Sequence, residues 1–152
     1  KLVIIGDGPL KIELEAQAEN LKLGENVVFA GKRKNEDLGK YFASADVFVG
    51  PSIVTKNGDT EGLGVVFLEA LASGTVVIGG NVGGVPDIIK DGKTGLLVEE
   101  KNSKELSKKI IELLEDKKKR EKMVKAGQKH IKDHYDWEKV SRKFEELFSK
   151  VV

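Results

Sequence analysis

Two glutamates eight positions apart have types and surroundings suited to chemistry. Glu61 opens the glycine-rich run Glu61-Gly62-Leu63-Gly64, and Glu69 lies inside the apolar run from Val65 to Ala72. A carboxylate among Val, Phe, Leu and Ala is costly to desolvate unless a partner takes up its charge or it faces a wet cleft. The glycine turn before it exposes backbone N–H groups at a helix N-terminus, where anions bind well. A carboxylate only accepts hydrogen bonds and can take two vicinal hydroxyls at once. The combination suits a ligand that is both polyhydroxylated and phosphorylated. Leu63, Val66, Phe67, Ala70 and Leu71 form one apolar stripe, while Val65 and Ala72 flank Glu69. A helix apolar almost all round is expected to be buried, so Glu69 should be enclosed or line a cleft. The plainer alternative has Glu61 capping the helix and Glu69 pointing into solvent.

The elements that must position this pair alternate between strand and helix. Apolar runs at 2–5, 26–30, 46–52, 76–78 and 95–98 predict five short strands. Helical spacing predicts helices over 10–23, 36–44, the segment carrying Glu69 up to Gly74, 85–90, 103–114, 117–134 and 136–151. Strands rich in Val and Ile, apolar on both faces and separated by helices, indicate an α/β fold with a doubly wound, Rossmann-like parallel sheet. In such sheets ligands sit beyond the carboxyl ends of the strands. The loops of interest are therefore 6–9, 31–34, 51–64 and 79–86, and glycine and polar residues crowd all four. Gly83-Gly84-Val85-Pro86 makes a second glycine-rich approach to that end, as a turn needing positive φ and as a wall that lets backbone come close to a ligand.

Other motifs are weaker. Gly6-Asp7-Gly8-Pro9 follows a strand and opens a helix, but Lys11 stands where a dinucleotide fingerprint has its third glycine. No acidic residue ends the second strand. The motif is read mainly as a tight turn with Pro9 near the first helical position. Gly92-Lys93-Thr94 would end a phosphate-binding loop only if position 87 were glycine, and it is Asp87. A strand also follows where that loop needs a helix. His130 and His134 stand one helical turn apart without a third ligand or an HExxH arrangement, and are read as a solvent-exposed pair. Lys117-Lys118-Lys119-Arg120, interleaved with acidic neighbours, is read as a solvated helix face, with contact to anionic lipid as the rival reading.

The 152 residues suffice for one domain with a full core. With 26 basic against 25 acidic residues, no whole-domain field marks the chain for nucleic acid. It has no Cys, so disulfides and thiolate metal sites are excluded, and a cytoplasmic setting fits. No apolar run approaches the roughly 20 residues that span a bilayer, and the first residues read as a strand, not as a charged leader. The chain opens on Lys1 and enters that strand at once. It is therefore expected to be a fragment of a longer protein, with parts of any site outside it.

In order, the chain carries Gly6-Asp7-Gly8-Pro9, Asn26-Val27-Val28-Phe29-Ala30-Gly31, Ala45-Asp46-Val47-Phe48-Val49, Pro51-Ser52, the whole stretch from Glu61 to Gly74, Gly83-Gly84 and Asp91-Gly92-Lys93-Thr94-Gly95-Leu96-Leu97-Val98. The series resembles the C-terminal, nucleotide-sugar-binding half of retaining GT-B glycosyltransferases of family 4, also called group 1. The resemblance covers essentially the whole chain, and the Glu-x7-Glu stretch is its specific part. It implies that Glu61, the catalytic candidate, accepts hydrogen bonds from donor-sugar hydroxyls and that Glu69 holds the two ribose hydroxyls. It further implies that backbone N–H groups around Gly62, Leu63 and Gly64 meet the sugar and diphosphate, and that backbone at Lys32 and Arg33 borders the base. Gly6 and Gly8 are counted with the donor-binding positions.

The implied reaction moves a hexose from a nucleoside diphosphate sugar to a hydroxyl acceptor, with anomeric retention, no cofactor and no obligatory metal. An Arg and a Lys that neutralise the diphosphate in the family lie upstream of the first strand seen here. The acceptor site belongs to an N-terminal domain outside this chain, so the isolated fragment is expected to be inactive. Leu63 stands where an aromatic is common. The expected partners are the donor and that N-terminal domain, with no nucleic acid. The expected location is cytoplasmic, peripheral at the inner membrane face if lipid is contacted. Trp137, Phe144 and Phe148 are read as apolar anchors of the last helix, exposed when its partner is missing. Two rivals stand beside this reading: a noncatalytic module that kept the fold, and an epimerase acting on nucleotide sugars, which the Gly62-Leu63-Gly64 turn disfavours.

Overall fold

The computed structural model describes residues 1–150. All five expected strands form, and all pair in parallel. The α/β, parallel Rossmann-like reading holds, with the strands in two ladders: β1 (Leu2–Ile5) pairs with β2 (Val27–Gly31), and β3 (Val47–Gly50), β4 (Val76–Gly80) and β5 (Gly95–Val98) lie side by side in that order. An apolar run marks a strand but carries no record of its neighbour, because pairing is a long-range choice. The chain correspondingly forms two compact units, Lys1–Leu38 and the residues from Gly39 onward.

In the first unit, β1 is linked to β2 by α1 (Lys11–Asn20) and a single 3-10 turn at Gly24–Asn26. The helix stops three residues short of the predicted Leu23. Lys22 adopts a left-handed conformation at φ 53, and the Leu21 N–H folds back onto the Gln17 carbonyl. The ladder runs in register from Leu2 opposite Val27 to Ile4 opposite Phe29, then slips so that Ile5 faces Gly31. Beyond the slip the Gly6 N–H donates to the Gly31 carbonyl at 3.0 Å, holding the two carboxyl ends together.

The boundary between the units falls within α2 (Asn35–Ser44). The second unit is built around β4, whose five residues are all buried, as expected of a central parallel strand covered on both faces. Val76 and Ile78 pack with Leu96 and Val98 of β5, Leu113 of α5 (Ser103–Glu115) and Met123 of α6 (Lys117–His134). Side chains alternate along a strand, so Val77 and Gly79 face the other way. There Phe67 of α3 (Val65–Ala72), Val85 of α4 (Val85–Ile88) and Ile89 close over Gly79. Phe48 joins Phe42 and Phe67 in edge-to-face contacts, with ring centroids 5.3 and 5.5 Å apart. The buried Thr75 hydroxyl donates to the Phe42 carbonyl.

The helices from α5 onward begin at side-chain caps. Asn102, Asp116 and Asp136 accept hydrogen bonds from backbone N–H groups in the first turns of α5, α6 and α7 (Trp137–Phe148). The Arg120 guanidinium ties α6 to the end of α5 through the Leu113 carbonyl at 2.6 Å and reaches Asp46 at 3.3 Å. α7 buries none of its residues, and Trp137, Phe144, Leu147 and Phe148 are all exposed, as the reading of that helix anticipated. Its expected end at Val151 lies outside the described residues.

Candidate functional site

Because β3, β4 and β5 are parallel, the loops after Gly50, Gly80 and Val98 leave the sheet at the same end. The loop after β3 carries Glu61 and ends at Gly64, the residue before α3. Gly64 is left-handed at φ 70, a conformation glycine adopts without the Cβ penalty other residues incur. The Phe67 N–H closes onto the Gly64 carbonyl at 2.9 Å, so the helix starts directly from this turn. The amides that precede its first hydrogen bond are oriented out of its N-terminus. Gly62 and Leu63 are exposed and Glu61 is half-buried.

A second loop braces the first. The Gly84 N–H donates to the Glu61 carbonyl at 3.1 Å. A Cβ at Gly84 would fall 1.9 Å from the Gly62 carbonyl oxygen, and one at Gly83 would fall 2.0 Å from that of Glu61. The wall expected at Gly83-Gly84 therefore touches the Glu61 turn itself, and only glycine permits the approach.

Glu69 is not enclosed, the first of the two placements expected for it. α3 buries Phe67, Ala70 and Leu71, but its opposite face, carrying Val65, Glu69 and Ala72, is exposed. Val65 is 54% exposed, so the helix is not enclosed all round and Glu69 is not desolvated by its apolar neighbours. The apolar sequence had suggested burial because Val and Ala on an open face cannot be told from core residues by composition. Glu69 follows Val65 by one helical turn, which places it about 7.5 Å along the axis from Gly64. Its carboxylate is open to a ligand lying along that face.

The remaining candidates belong to the first unit. Gly6 lies beyond β1 in a left-handed conformation at φ 136, bonded to Gly31, and the Gly8 N–H is held by the Asp7 carboxylate at 2.9 Å. Lys32 and Arg33 follow β2 directly and are exposed.

Several residues that the sequence reading passed over also shape the carboxyl end of the second unit. The Asn81 amide donates to Glu99 at 3.0 Å, and Glu100 accepts from the Val54 N–H at 2.9 Å, fastening the 51–64 loop to the end of β5. A cavity of about 200 Å³ lies between Pro51–Ile53, Gly80 and the segment 98–103, and neither Glu61 nor Glu69 lines it. No local sequence signal marks these pairs, which join residues 18 and 46 positions apart.

The His130 and His134 rings are tilted against each other with centroids 4.7 Å apart; His134 is exposed as expected, but His130 is not. His130 is half-buried and its Nε2 is enclosed without a hydrogen-bond partner among the described residues. Burial foremost, then His134 and Lys90, holds its pKa below the ordinary histidine value, against the opposing pull of Asp133. Among the described residues no group of three or more His, Cys, Asp or Glu could hold a metal ion. No helix among them is long and apolar enough to cross a membrane.

A helix N-terminus approached by two glycine loops at the carboxyl end of a parallel sheet is a Rossmann-like arrangement, and likeness to solved glycosyltransferases identifies it as a Rossmann-like half of the GT-B architecture. The fold superposes on sucrose-phosphate synthase from Thermosynechococcus elongatus with a TM-score of 0.83 at 27% identity, over 99% of this chain and 38% of that one. It also matches the C-terminal domain of a glycosyl transferase group 1 family protein (LpcC) from Francisella tularensis, at TM-score 0.77 and 30% identity, over 89% of this chain and 69% of that one. Residues 1–130 match the family Glycosyl transferases group 1, and the chain belongs to it. Among its relatives is the GDP-mannose-dependent alpha-(1-6)-phosphatidylinositol monomannoside mannosyltransferase of Mycobacterium tuberculosis (strain CDC 1551 / Oshkosh). The two are 36% identical over 143 residues, which are 93% of this chain and 37% of that protein. The chain thus spans well under half the length of this relative.

Proposed function

We propose that this chain is the donor-binding domain of a retaining glycosyltransferase that moves a hexose from a nucleoside diphosphate sugar to a hydroxyl acceptor. The observation that carries the reading is the Glu61–Gly64 turn: braced by Gly83 and Gly84, it ends in a left-handed glycine at the head of α3, with Glu69 open one turn further on. A similar protein that is named as GDP-mannose-dependent supports the donor class.

Each group has a task set by its chemistry. Glu61 accepts hydrogen bonds from hydroxyls of the donor sugar and fixes the ring where its anomeric carbon is attacked. The amides at Gly62, Leu63 and Gly64, with the N-terminus of α3, face the diphosphate and stabilise the negative charge that grows on it as the glycosidic oxygen departs. Glu69 takes the two ribose hydroxyls. The same reading assigns the backbone at Lys32 and Arg33 to the base, and counts Gly6 and Gly8 among the donor-binding positions. It invokes no cofactor and no obligatory metal. It assigns the acceptor to an N-terminal domain of a longer polypeptide, treats residues 1–152 as one donor domain, and places that polypeptide in the cytoplasm.

The test is a titration of the 15N-labelled chain with UDP, GDP and ADP and their sugars, followed by NMR. The reading expects shifts at 61–64 and around Glu69 for at least one nucleotide. Shifts confined to residues far from both would refute it. Donor binding by a full-length protein that turns nothing over would favour the noncatalytic module.

A further inference from the structure

The Glu61 turn is only as fixed as the loop that braces it, and that loop runs straight into α4. This four-residue helix, Val85–Ile88, is too short to satisfy its own carbonyls, because the last four of any helix lack partners within it. Its inner side is anchored by Val85 and Ile88, both fully buried. Its outer carbonyls are held by side chains: the Lys90 ammonium donates to the Pro86 carbonyl at 3.1 Å, and the Tyr135 hydroxyl to that of Asp87 at 3.0 Å. Tyr135 comes from the C-cap of α6, 48 residues away. Its ring stacks edge-on against His130 at 5.7 Å. Burial, then the nearby Asp87 carboxylate, raises its phenol pKa, so the hydroxyl keeps its proton as a donor at neutral pH.

These contacts form one path. Tyr135 holds Asp87, Asp87 sits three residues after Gly84, and Gly84 holds the Glu61 carbonyl. We propose that Tyr135 is a positioning residue for the donor site, fixing the Glu61–Gly64 turn through α4 from the far side of the loop. The inference rests on the donor-binding reading for its functional consequence, but the tether can be tested without a ligand.

The experiment compares the full 152-residue chain with its Tyr135→Phe variant, which removes one oxygen and keeps the ring. Hydrogen exchange is followed by NMR, and UDP and GDP are then titrated into both. Loss of one net hydrogen bond should let the Gly84 amide exchange about two- to tenfold faster, while amides of β3–β5 keep their protection. Resonances at 61–64 should shift, and the nucleotide that binds the unaltered chain should bind the variant several-fold more weakly. Unchanged exchange at Gly84 would overturn the proposal, and so would an equal rise across β3–β5, which marks a general loss of stability. Looser exchange at Gly84 with unaltered nucleotide affinity would overturn the positioning role. If neither nucleotide touches 61–69 in the unaltered chain, the donor reading fails, and the exchange data alone still decide the tether.

Discussion

Gly84→Ala is the sharpest way to disturb the site without touching a proposed ligand group. Gly84 has φ −83, which alanine adopts freely, so the substitution carries no conformational penalty and acts through space alone. The added Cβ would lie 1.9 Å from the Gly62 oxygen and 3.3 Å from the Leu63 Cα, against 3.4 Å or more for an ordinary contact. The two loops must therefore part by about 1.5 Å, a displacement that also breaks the bond from Gly84 to Glu61. Such overpacking costs about 1–3 kcal/mol of stability. If the displaced turn loses one charge-assisted contact to the donor, about 1.5–3 kcal/mol, affinity falls about 10- to 150-fold. Calorimetry with the tightest nucleotide sugar measures the affinity, and a thermal melt of the same sample measures the stability. Gly39→Ala is the matched control, because a Cβ there meets nothing within 4 Å inside α2, and it should stabilise the fold by about 0.5–1 kcal/mol. A Gly84→Ala variant that binds as tightly as the original and keeps its resonances at 61–64 would refute the bracing argument.

Two further expectations concern stability. His130 has a folded-state pKa below its ordinary 6.5, so the unfolded chain binds its proton first as pH falls. The stability it contributes is complete above about pH 6.5 and is lost as pH drops through the folded value; melting from pH 7.5 to 5 should show the decline, and His130→Gln should flatten it. Asn102 and Glu105 bond reciprocally at the head of α5, each at 3.1 Å, so Asn102→Ala should cost about 0.5–2 kcal/mol in denaturant unfolding without altering donor binding.

What could be read from the residues follows what is local. The alternation of apolar runs and helical spacing located the five strands and seven α-helices of the described residues, though not the 3-10 turn at Gly24–Asn26, because period is a property of neighbours in sequence. The Glu61–Gly64 turn was legible for the same reason: a helix that begins after Gly-Leu-Gly announces its own N-terminus. Pairing was not legible, because nothing in Val27–Gly31 or Val47–Gly50 names a partner, and the structure alone gives the two ladders. That α3 is not buried all round was not legible, because Val65 and Ala72 are apolar residues on an open face beside Glu69. His130 shows the reverse error, a polar residue on a Lys-rich helix whose ring turns inward beside Tyr135. Tyr135 itself gave no signal, since its hydroxyl acts on a carbonyl 48 positions away.

The ribose role of Glu69 is the claim on which the donor reading turns, and a binding cycle tests it most directly. Affinities are measured for the bound nucleoside diphosphate and its 2′-deoxy counterpart, each against the original chain and Glu69→Ala. If the carboxylate holds both ribose hydroxyls, either change alone weakens binding, and removing the 2′-hydroxyl costs little once Glu69 is gone, while Glu69→Ala still removes the 3′-hydroxyl contact from the 2′-deoxy nucleotide. Losses that simply add, or a Glu69→Ala variant that binds both nucleotides as the original does, would contradict the account.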